Sequence, residues 1–443
     1  MLSSGACSTF SLRSPHTDHH HSVGEYWLED ATSPVKLSKA DQDLIKRIFD
    51  EEKIVYHPDT MFQDTDQLAK ALLEGFGSRA HEYASADNLA YTMMEINLNR
   101  FGYNKNIAEI TELNNAFQQS KDFNKFKGAA KEILGTYKVN HLRTEYNLAV
   151  ATGQNASRYI NQLREADIFP YLQYQTAGDD KVREEHAALD GKVFSINDPE
   201  LAAIYPPNGF GCRCEMVQID SDEGAALGIT SPQEGRGLLG EEWDNMVKYG
   251  FDRNLAEAGE IFDLNKVYAS QLEEAVVKPL YDLTFNDINL PMSNAIQSLV
   301  KHGKMKLDDL SQDTLLKTFD EKVVKVGDRK FNVYEDYAGR PVGLSRETLV
   351  GQTSGSFLSP GEMRNAIFTN MDELMKSPDE VWLIPQAGNA YKQVYIRYYK
   401  DDVMMASTLV DREEGRRIAS WSRMHQEVPN RKGLLIYKSY GSK

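Results

Sequence analysis

The chain has 443 residues, with 50 lysine and arginine against 66 aspartate and glutamate side chains and a formal net charge of −16 at pH 7. This length predicts two or three domains of about 100 to 200 residues each. Hydrophobic residues make up 41% of the chain and aromatic residues 10%, which excludes wholesale disorder. A mean hydropathy of −0.52, without a run of about 18 apolar residues, argues against a membrane-spanning helix.

The first 24 residues are rich in serine, threonine and histidine and predict a disordered tail. We expect no secretory signal, because no apolar segment follows a basic start. Three cysteines, Cys7, Cys212 and Cys214, are too few for a disulfide framework and indicate a reducing compartment.

From about residue 37 to residue 166, apolar residues recur at intervals of three and four, which predicts a series of packed helices. Residues 171–176 alternate in polarity and predict a strand. The turn-rich segment 181–220 follows, and its part 213–219 predicts a second strand. We expect the first domain, residues 25–220, to end here.

The stretch 221–339 opens with a polar, glycine-rich sequence that predicts a linker, whereas later helical periodicity favours a small connecting domain. The pattern of residues 340–443 predicts a helix followed by five β-rich runs. This order is typical of an α+β domain with an antiparallel sheet. The five runs are 379–385, 391–399, 401–410, 415–423 and 431–439. The predicted fold class is therefore multidomain α+β, mainly helical at the N-terminal end.

The charge is distributed unevenly along the chain. Residues 384–443 contain 11 lysine and arginine against 6 aspartate and glutamate side chains, although the whole chain is acidic. A basic terminal block predicts contact with a polyanion, and a solvated basic surface is the alternative.

A first group of chemically notable residues is a Cys-x-Cys pair, Cys212 and Cys214, preceded by a Pro-Pro-x-Gly-x-Gly loop and by His186. Thiolate and imidazole groups are ligands that zinc accepts, and Asp190 or a water would have to supply the fourth. The alternative is a structural loop held by buried cysteines and a hydrogen-bonded histidine. Both interpretations stay open from the sequence.

The runs KVREEHAALDGKVF, DPE and PPNGFGCRC occur in this order near the end of the first predicted domain. Together they resemble the closing signature of the phage Mu F-like minor head proteins, also called phage head morphogenesis proteins. The resemblance covers roughly residues 25–220. It implies a minor capsid component in the virion head of a phage or prophage, with portal or capsid proteins as partners and no membrane.

A second group of residues belongs to the predicted C-terminal sheet. Metal-independent RNA cleavage needs a base for the 2′-hydroxyl, an acid for the leaving oxygen and fixed cations around the phosphate. We expect one sheet face to pack and the other to form a concave surface that meets the substrate. The candidate catalytic residues there are Arg397, Ser420, Ser422, Arg423 and His425, and the candidate substrate-binding residues are Lys392, Tyr395 and Lys432. For each residue, solvation or strand hydrogen bonding is the alternative.

The runs SPDEVWLI, YKQVYIRYY and RRIASWSRMHQEVPNRKGLLIYKS look like the phage-encoded branch of the barnase/EndoU/colicin/RelE-like nuclease superfamily, over roughly residues 340–443. The resemblance implies a helical front, a four- or five-stranded antiparallel sheet, and an RNase that needs no cofactor. It also adds Arg346 as a catalytic and Arg364 as a substrate-binding candidate on the helical front. Where many members have threonine, this chain has Ser420 and Ser422.

The leading hypothesis is a head-associated domain fused to an RNase toxin, which the capsid carries into the cytoplasm of a recipient bacterium, with an immunity protein as a further partner. The rival is a purely structural head protein with a non-catalytic C-terminal binding domain. ADP-ribosyl transfer ranks third, because the C-terminal segment lacks an acidic pair suited to nicotinamide-ribose recognition.

Overall fold

The computed structural model describes residues 36–268, 272, 277–354, 363–425, 428 and 430–441. Its N-terminal part is helical, which confirms the periodicity of residues 37–166. The helices are α1 (Lys39–Phe49), α2 (Pro58–Phe76), α3 (Ala86–Gln119), α4 (Phe123–Gly135) and α5 (Leu142–Arg164).

Local capping signals fix where these helices begin. Ser38 forms a capping box with Asp41 at the start of α1. Pro58 occupies the first turn of α2, where its missing N–H costs nothing. The Ser85 hydroxyl accepts a hydrogen bond from the Asn88 N–H at the start of α3.

Helices α2 and α5 approach each other closely through two glycines. A Cβ at Gly75 would collide with the Val150 carbonyl oxygen, and a Cβ at Gly153 would lie 2.7 Å from the Leu72 carbonyl oxygen. Only a residue without a side chain permits this backbone contact.

The helical part also buries charges. A π-helical segment, Thr136–His141, joins α4 to α5, and its Lys138 lies 2.9 Å from Asp64 and 3.3 Å from Glu109. Lys105 of α3 pairs with Asp64 at 3.1 Å in the same interior. Opposite charges offset one another there, which makes their burial tolerable.

A three-stranded antiparallel sheet follows, in the order β2-β1-β3. Its strands are β1 (Tyr171–Gln175), β2 (Val193–Ser195) and β3 (Glu215–Ile219), and the short helix α6 (Glu184–Ala187) lies between β1 and β2 in sequence. Strands β1 and β3 confirm the strands predicted at 171–176 and 213–219.

The stretch 221–339 contains short helices and two strands. The helices are α7 (Ser221–Leu227), α8 (Pro232–Leu239), α9 (Glu241–Tyr249), α10 (Leu255–Ala258), α11 (Ser293–Val300) and α12 (Gln312–Asp320). The strands are β4 (Val323–Val326) and β5 (Arg329–Glu335). These strands precede residue 340 and pair into the C-terminal sheet, while the predicted domain boundaries themselves stay predictions.

The C-terminal sheet has eight strands in the order β11-β7-β8-β9-β10-β6-β5-β4, antiparallel except for the β10–β6 pair. Its other strands are β6 (Pro341–Ser345), β7 (Glu380–Pro385), β8 (Tyr391–Tyr398), β9 (Val403–Asp411), β10 (Gly415–Met424) and β11 (Leu434–Lys438). Between β6 and β7, the described residues form the α-helices α13 (Arg346–Thr353), α14 (Arg364–Ile367) and α15 (Met371–Lys376). The five predicted β-rich runs are confirmed as β7 to β11, and the α+β class is confirmed.

Both faces of this sheet are largely covered, so the expectation of one open face is wrong. Strands β7, β8 and β9 are buried at nearly every position, on both sides of the pleat. Arg416 of β10 forms an ion pair with Glu95 of α3 on one face. On the other face, Arg431 pairs with Glu380. The sheet therefore forms an interior layer.

The described residues all fall in one compact unit, Val35–Lys443. The largest hydrophobic core contains Met93 and Ile96 of α3 together with Trp382, Val394 and other sheet residues. None of the helices in the described part of the chain is long and apolar enough to span a membrane.

Candidate functional sites

The register of the C-terminal sheet assigns its side chains to two faces, since directly opposite residues on paired strands point to the same side. The rows of the first face are Lys392–Leu409–Arg417, Val394–Ser407–Ser420 and Ile396–Met405–Ser422. The rows of the second face are Gln393–Thr408–Ile418, Tyr395–Ala406–Trp421 and Arg397–Met404–Arg423. We name them the lysine face and the arginine face.

The predicted concave surface that combines arginine, serine and histidine is therefore wrong. Ser420 and Ser422 lie on the lysine face, whereas Arg397 and Arg423 lie on the arginine face. Ser422 and Arg423 are consecutive in β10 and so point to opposite faces. An irregularity between Ile418 and Ser420 also places both serines on the face opposite Arg397.

On the arginine face the predicted basic groups are paired with carboxylates. Arg397 donates to Glu373 at 2.7 Å. Arg423 donates to both carboxylate oxygens of Asp402, at 2.8 and 2.9 Å, and the His425 Nδ1 lies 2.8 Å from the same residue. Asp402 was not identified from the sequence, and it offsets the charge that the arginine would offer to a phosphate.

Tyr395, predicted to bind substrate, is fully buried. Its hydroxyl donates to Asp336 at 2.9 Å, and burial raises the pKa of the phenol well above its usual value. The side chain therefore belongs to the core and offers no surface to a substrate.

The two arginines of the helical front begin separate helices. The Arg346 Nε lies 3.9 Å from Asp320, and its side chain is 40% exposed. Arg364 starts α14, and its carbonyl oxygen accepts a hydrogen bond from the Trp421 indole at 2.8 Å. That contact places the backbone of Arg364 on the arginine side of the sheet.

Two predicted residues, Lys392 of the lysine face and Lys432, lie near enough for their charges to interact. Burial lowers the pKa of Lys392, and the nearby Lys432 ammonium lowers it further. Neither side chain makes a hydrogen bond or ion pair with any residue that the structure describes. Lys392 is half-buried and Lys432 is exposed, so both ammonium groups can meet solvent. Ser420, on the same face as Lys392, is half-buried and lies two strands away on β10.

Neighbouring residues fix the position of Lys432. Arg431 donates to both carboxylate oxygens of Glu380 at 2.9 Å, and both side chains are fully buried. On the other side, Gly433 has a φ of 92°, and an added Cβ would collide with the Leu383 carbonyl oxygen. A buried ion pair and a glycine thus hold Lys432 beside Lys392.

The His186 cluster, which consists of His186, Cys212 and Cys214, is buried. The His186 Nδ1 lies 3.8 Å from the Cys212 Sγ and 3.5 Å from the Cys214 Sγ. A hydrogen bond from Cys214, together with His186, lowers the pKa of the Cys212 thiol. Among the described residues, these three form a group whose ligand atoms could hold a metal ion.

Asp190, which the sequence offered together with water as a possible fourth ligand, lies outside the His186 cluster. Its carboxylate accepts hydrogen bonds from the Thr176 N–H at 2.8 Å and the Thr176 hydroxyl at 3.0 Å. Instead, the Glu242 Oε1 lies 3.7 Å from the His186 Nε2. Glu242 belongs to α9, and no sequence pattern connected that helix to the cysteines.

Two family models match this chain. Residues 108–217 match the family described as Phage Mu protein F like protein. Residues 314–438 match the family described as phage-Barnase-EndoU-ColicinE5/D-RelE like nuclease2. The chain joins a Mu F-like segment to a nuclease-like segment.

Curated relatives match part of the chain. Over 104 residues the chain is 38% identical to a protein F of Escherichia phage Mu whose name refers to capsid assembly, covering 23% of each protein. It is 39% identical over 78 residues to the Mu-like prophage FluMu F protein of Haemophilus influenzae, covering 18% of this chain and 19% of that protein. The chain spans less than a quarter of the length of these relatives. No solved structure matches the chain.

The matched segments relate directly to the two sites. The Mu F-like segment contains the His186 cluster but ends before Glu242. The nuclease-like segment begins before β4 and includes all eight strands of the C-terminal sheet, with Lys392 and Lys432. Helix α3 begins outside the Mu F-like segment and ends within it, and it packs on the nuclease-like sheet.

Proposed function

We propose that the chain is a minor head protein of a phage or prophage that carries a metal-independent endoribonuclease, with the RNA phosphate bound on the lysine face. The observation that carries this proposal is the proximity of Lys392 and Lys432 within the nuclease-like segment. Two neighbouring ammonium groups repel each other, and this cost is offset when an anion lies between them.

The proposed chemistry uses the 2′-hydroxyl of RNA as the nucleophile. It loses its proton to a solvent water as it attacks the phosphorus, the bond to the 5′ oxygen breaks, and a 2′,3′-cyclic phosphate forms. Lys432 would stabilise the phosphate oxygens. Lys392, with its lowered pKa, is suited to give a proton to the leaving oxygen.

The test uses the purified full chain, a labelled RNA and excess EDTA. The proposal predicts products that end in a 2′,3′-cyclic phosphate, and resistance of the same RNA when a 2′-deoxynucleotide replaces the residue before the cut. Intact RNA with and without divalent ions would contradict the nuclease. Cleavage only with divalent ions would contradict metal independence.

The head assignment is supported by the Mu F-like segment and by the capsid-assembly name of the phage Mu relative. We propose portal or capsid proteins as partners and the virion head as the location. Mass spectrometry of purified virions should detect the chain in filled heads. Its absence from heads of a producing phage would contradict the assignment.

Delivery and toxicity form the last part of this proposal. The virion would carry the nuclease into the cytoplasm of a recipient bacterium, and an immunity protein would protect the producer. Expression of the full chain should arrest growth, whereas Lys392→Ala should not. Equal growth arrest by both would show that toxicity does not depend on RNA cleavage.

A zinc ion at the His186 cluster would stabilise the Mu F-like segment and take no part in RNA cleavage, because the cluster lies outside the nuclease-like segment.

A second candidate function is a structural head protein whose C-terminal domain binds nucleic acid without cleaving it. The separation of the predicted catalytic residues between the two faces of the sheet favours this second hypothesis. It predicts RNA binding that depends on Lys392 and Lys432, with no products after long incubation.

A further inference from the structure

The separations within the His186 cluster suit a tetrahedral metal. Zinc bonds of about 2.3 Å to sulfur and 2.0–2.1 Å to nitrogen place tetrahedral sulfur and nitrogen ligands about 3.6 Å apart. The His186 Nδ1 lies 3.8 and 3.5 Å from the two cysteine sulfurs. The nitrogen therefore lies from each sulfur at about the spacing that one zinc ion requires, and all three ligand atoms lie within 4.8 Å of one another.

The orientation of the imidazole points to a supporting carboxylate. The His186 Nε2 is buried and has no hydrogen-bond partner among the described residues. The Glu242 Oε1 lies 3.7 Å from it, and the same oxygen lies 3.6 Å from the Arg183 Nε. A carboxylate beside the far nitrogen keeps its proton there, which leaves the Nδ1 lone pair free for the metal.

The cluster borders a cavity of about 100 Å³. Its wall includes His186 and both cysteines, together with Lys181, Arg183 and Arg213. One water occupies about 30 Å³ of liquid volume, so the space admits a water or a small anion. Zinc sites with three protein ligands and access to solvent keep an exchangeable fourth position.

We propose that His186, Cys212 and Cys214 bind one zinc ion, that Glu242 is a positioning residue for His186, and that the fourth coordination position is open to the cavity. The exchangeable ligand is a water or a small anion. This proposal rests on the zinc ion suggested under the proposed function and adds its ligands and its open position. It does not depend on the nuclease activity, so either proposal can fail without the other. It also makes α9, which lies beyond the Mu F-like segment, part of the site.

The first test measures metal in the purified full chain. We expect one zinc per chain in the wild type and in Cys7→Ser, and loss of zinc in Cys212→Ser. Cys7→Ser is the matched control because it removes the remaining cysteine. Less than a tenth of a zinc per chain in the wild type, after growth with added zinc, would overturn the proposal.

Replacement of zinc by cobalt in the wild type avoids variants that fail to fold. The proposal predicts thiolate charge-transfer bands and the d–d bands of tetrahedral cobalt, and a shift of the d–d bands when azide is added. An octahedral spectrum without thiolate bands would overturn the ligand set. A spectrum that azide does not change would overturn the open position.

The role of Glu242 has its own readout. Competition with a chromophoric chelator should show zinc affinity reduced by about 10- to 100-fold in Glu242→Gln. Glu241→Gln, at the preceding exposed position, is the control and should keep wild-type affinity. Equal affinities of the two variants would overturn the positioning role while leaving the three ligands in place.

Discussion

The buried pair of Glu380 and Arg431 fixes the residue next to Lys432. Removing one partner of a buried ion pair leaves an uncompensated charge, so Glu380→Gln should destabilise the chain by about 3–5 kcal/mol. Urea unfolding measures this change, with the exposed Glu413→Gln as control. A loss no larger than that of the control would contradict the structural role of the pair.

Glu109 makes stability depend on pH. Burial raises the pKa of this carboxyl from 4.5 to about 7. The folded chain thus binds the proton more tightly than the unfolded chain, so stability falls as the pH rises from about 4.5 to about 7. The loss is on the order of 3 kcal/mol and is complete above pH 7.

Glu109→Gln removes this titration. The variant should match the wild type in free energy of unfolding near pH 5 and exceed it near pH 8, as measured by urea unfolding across that range. The exposed Glu132→Gln should show no such trend. A difference in the free energy of unfolding between the Glu109 variant and the wild type that does not change with pH would rule out the raised pKa of Glu109.

The composition of the C-terminal runs predicted the strands of the sheet. It did not predict on which face of the sheet each side chain lies. Alternation alone places Ile418, Ser420 and Ser422 on one side, and the irregularity in β10 moves Ile418 to the other. Lys392 and Lys432 were chosen for their chemistry. Their proximity depends on Gly433 and on buried Arg431, which a sequence pattern does not pair with Glu380.

Helix α3 contributes a buried charge to the sheet. Its Glu95 accepts hydrogen bonds from Arg340, at 2.8 Å, and from Arg416. Glu95→Gln should therefore lower the free energy of unfolding by about 3–5 kcal/mol. The exposed Glu112→Gln on the same helix is the control, and equal melting temperatures of the two variants would contradict the contact.

The helical N-terminal part and the C-terminal sheet belong to one compact unit. The Tyr56 hydroxyl, at the N-terminal side of α2, accepts a hydrogen bond from the Leu435 N–H of β11 at 3.1 Å. Lys438 of the same strand pairs with Asp59 at 2.8 Å. Contacts between residues so distant in sequence leave no local pattern, so no motif predicted them. The full chain is therefore the appropriate material for activity measurements.

The proposed RNA cleavage takes place on the lysine face and not on the arginine face. Single-turnover cleavage by the full chain in EDTA should fall on the order of 100-fold in Lys392→Ala and Lys432→Ala. The variants Arg423→Ala and His425→Ala should cleave at nearly the wild-type rate. Lys400→Ala removes a positive charge at an exposed position and is the control for the loss of charge alone. The opposite pattern, with full activity after loss of both lysines and none after loss of Arg423 or His425, would contradict RNA cleavage by the lysine face.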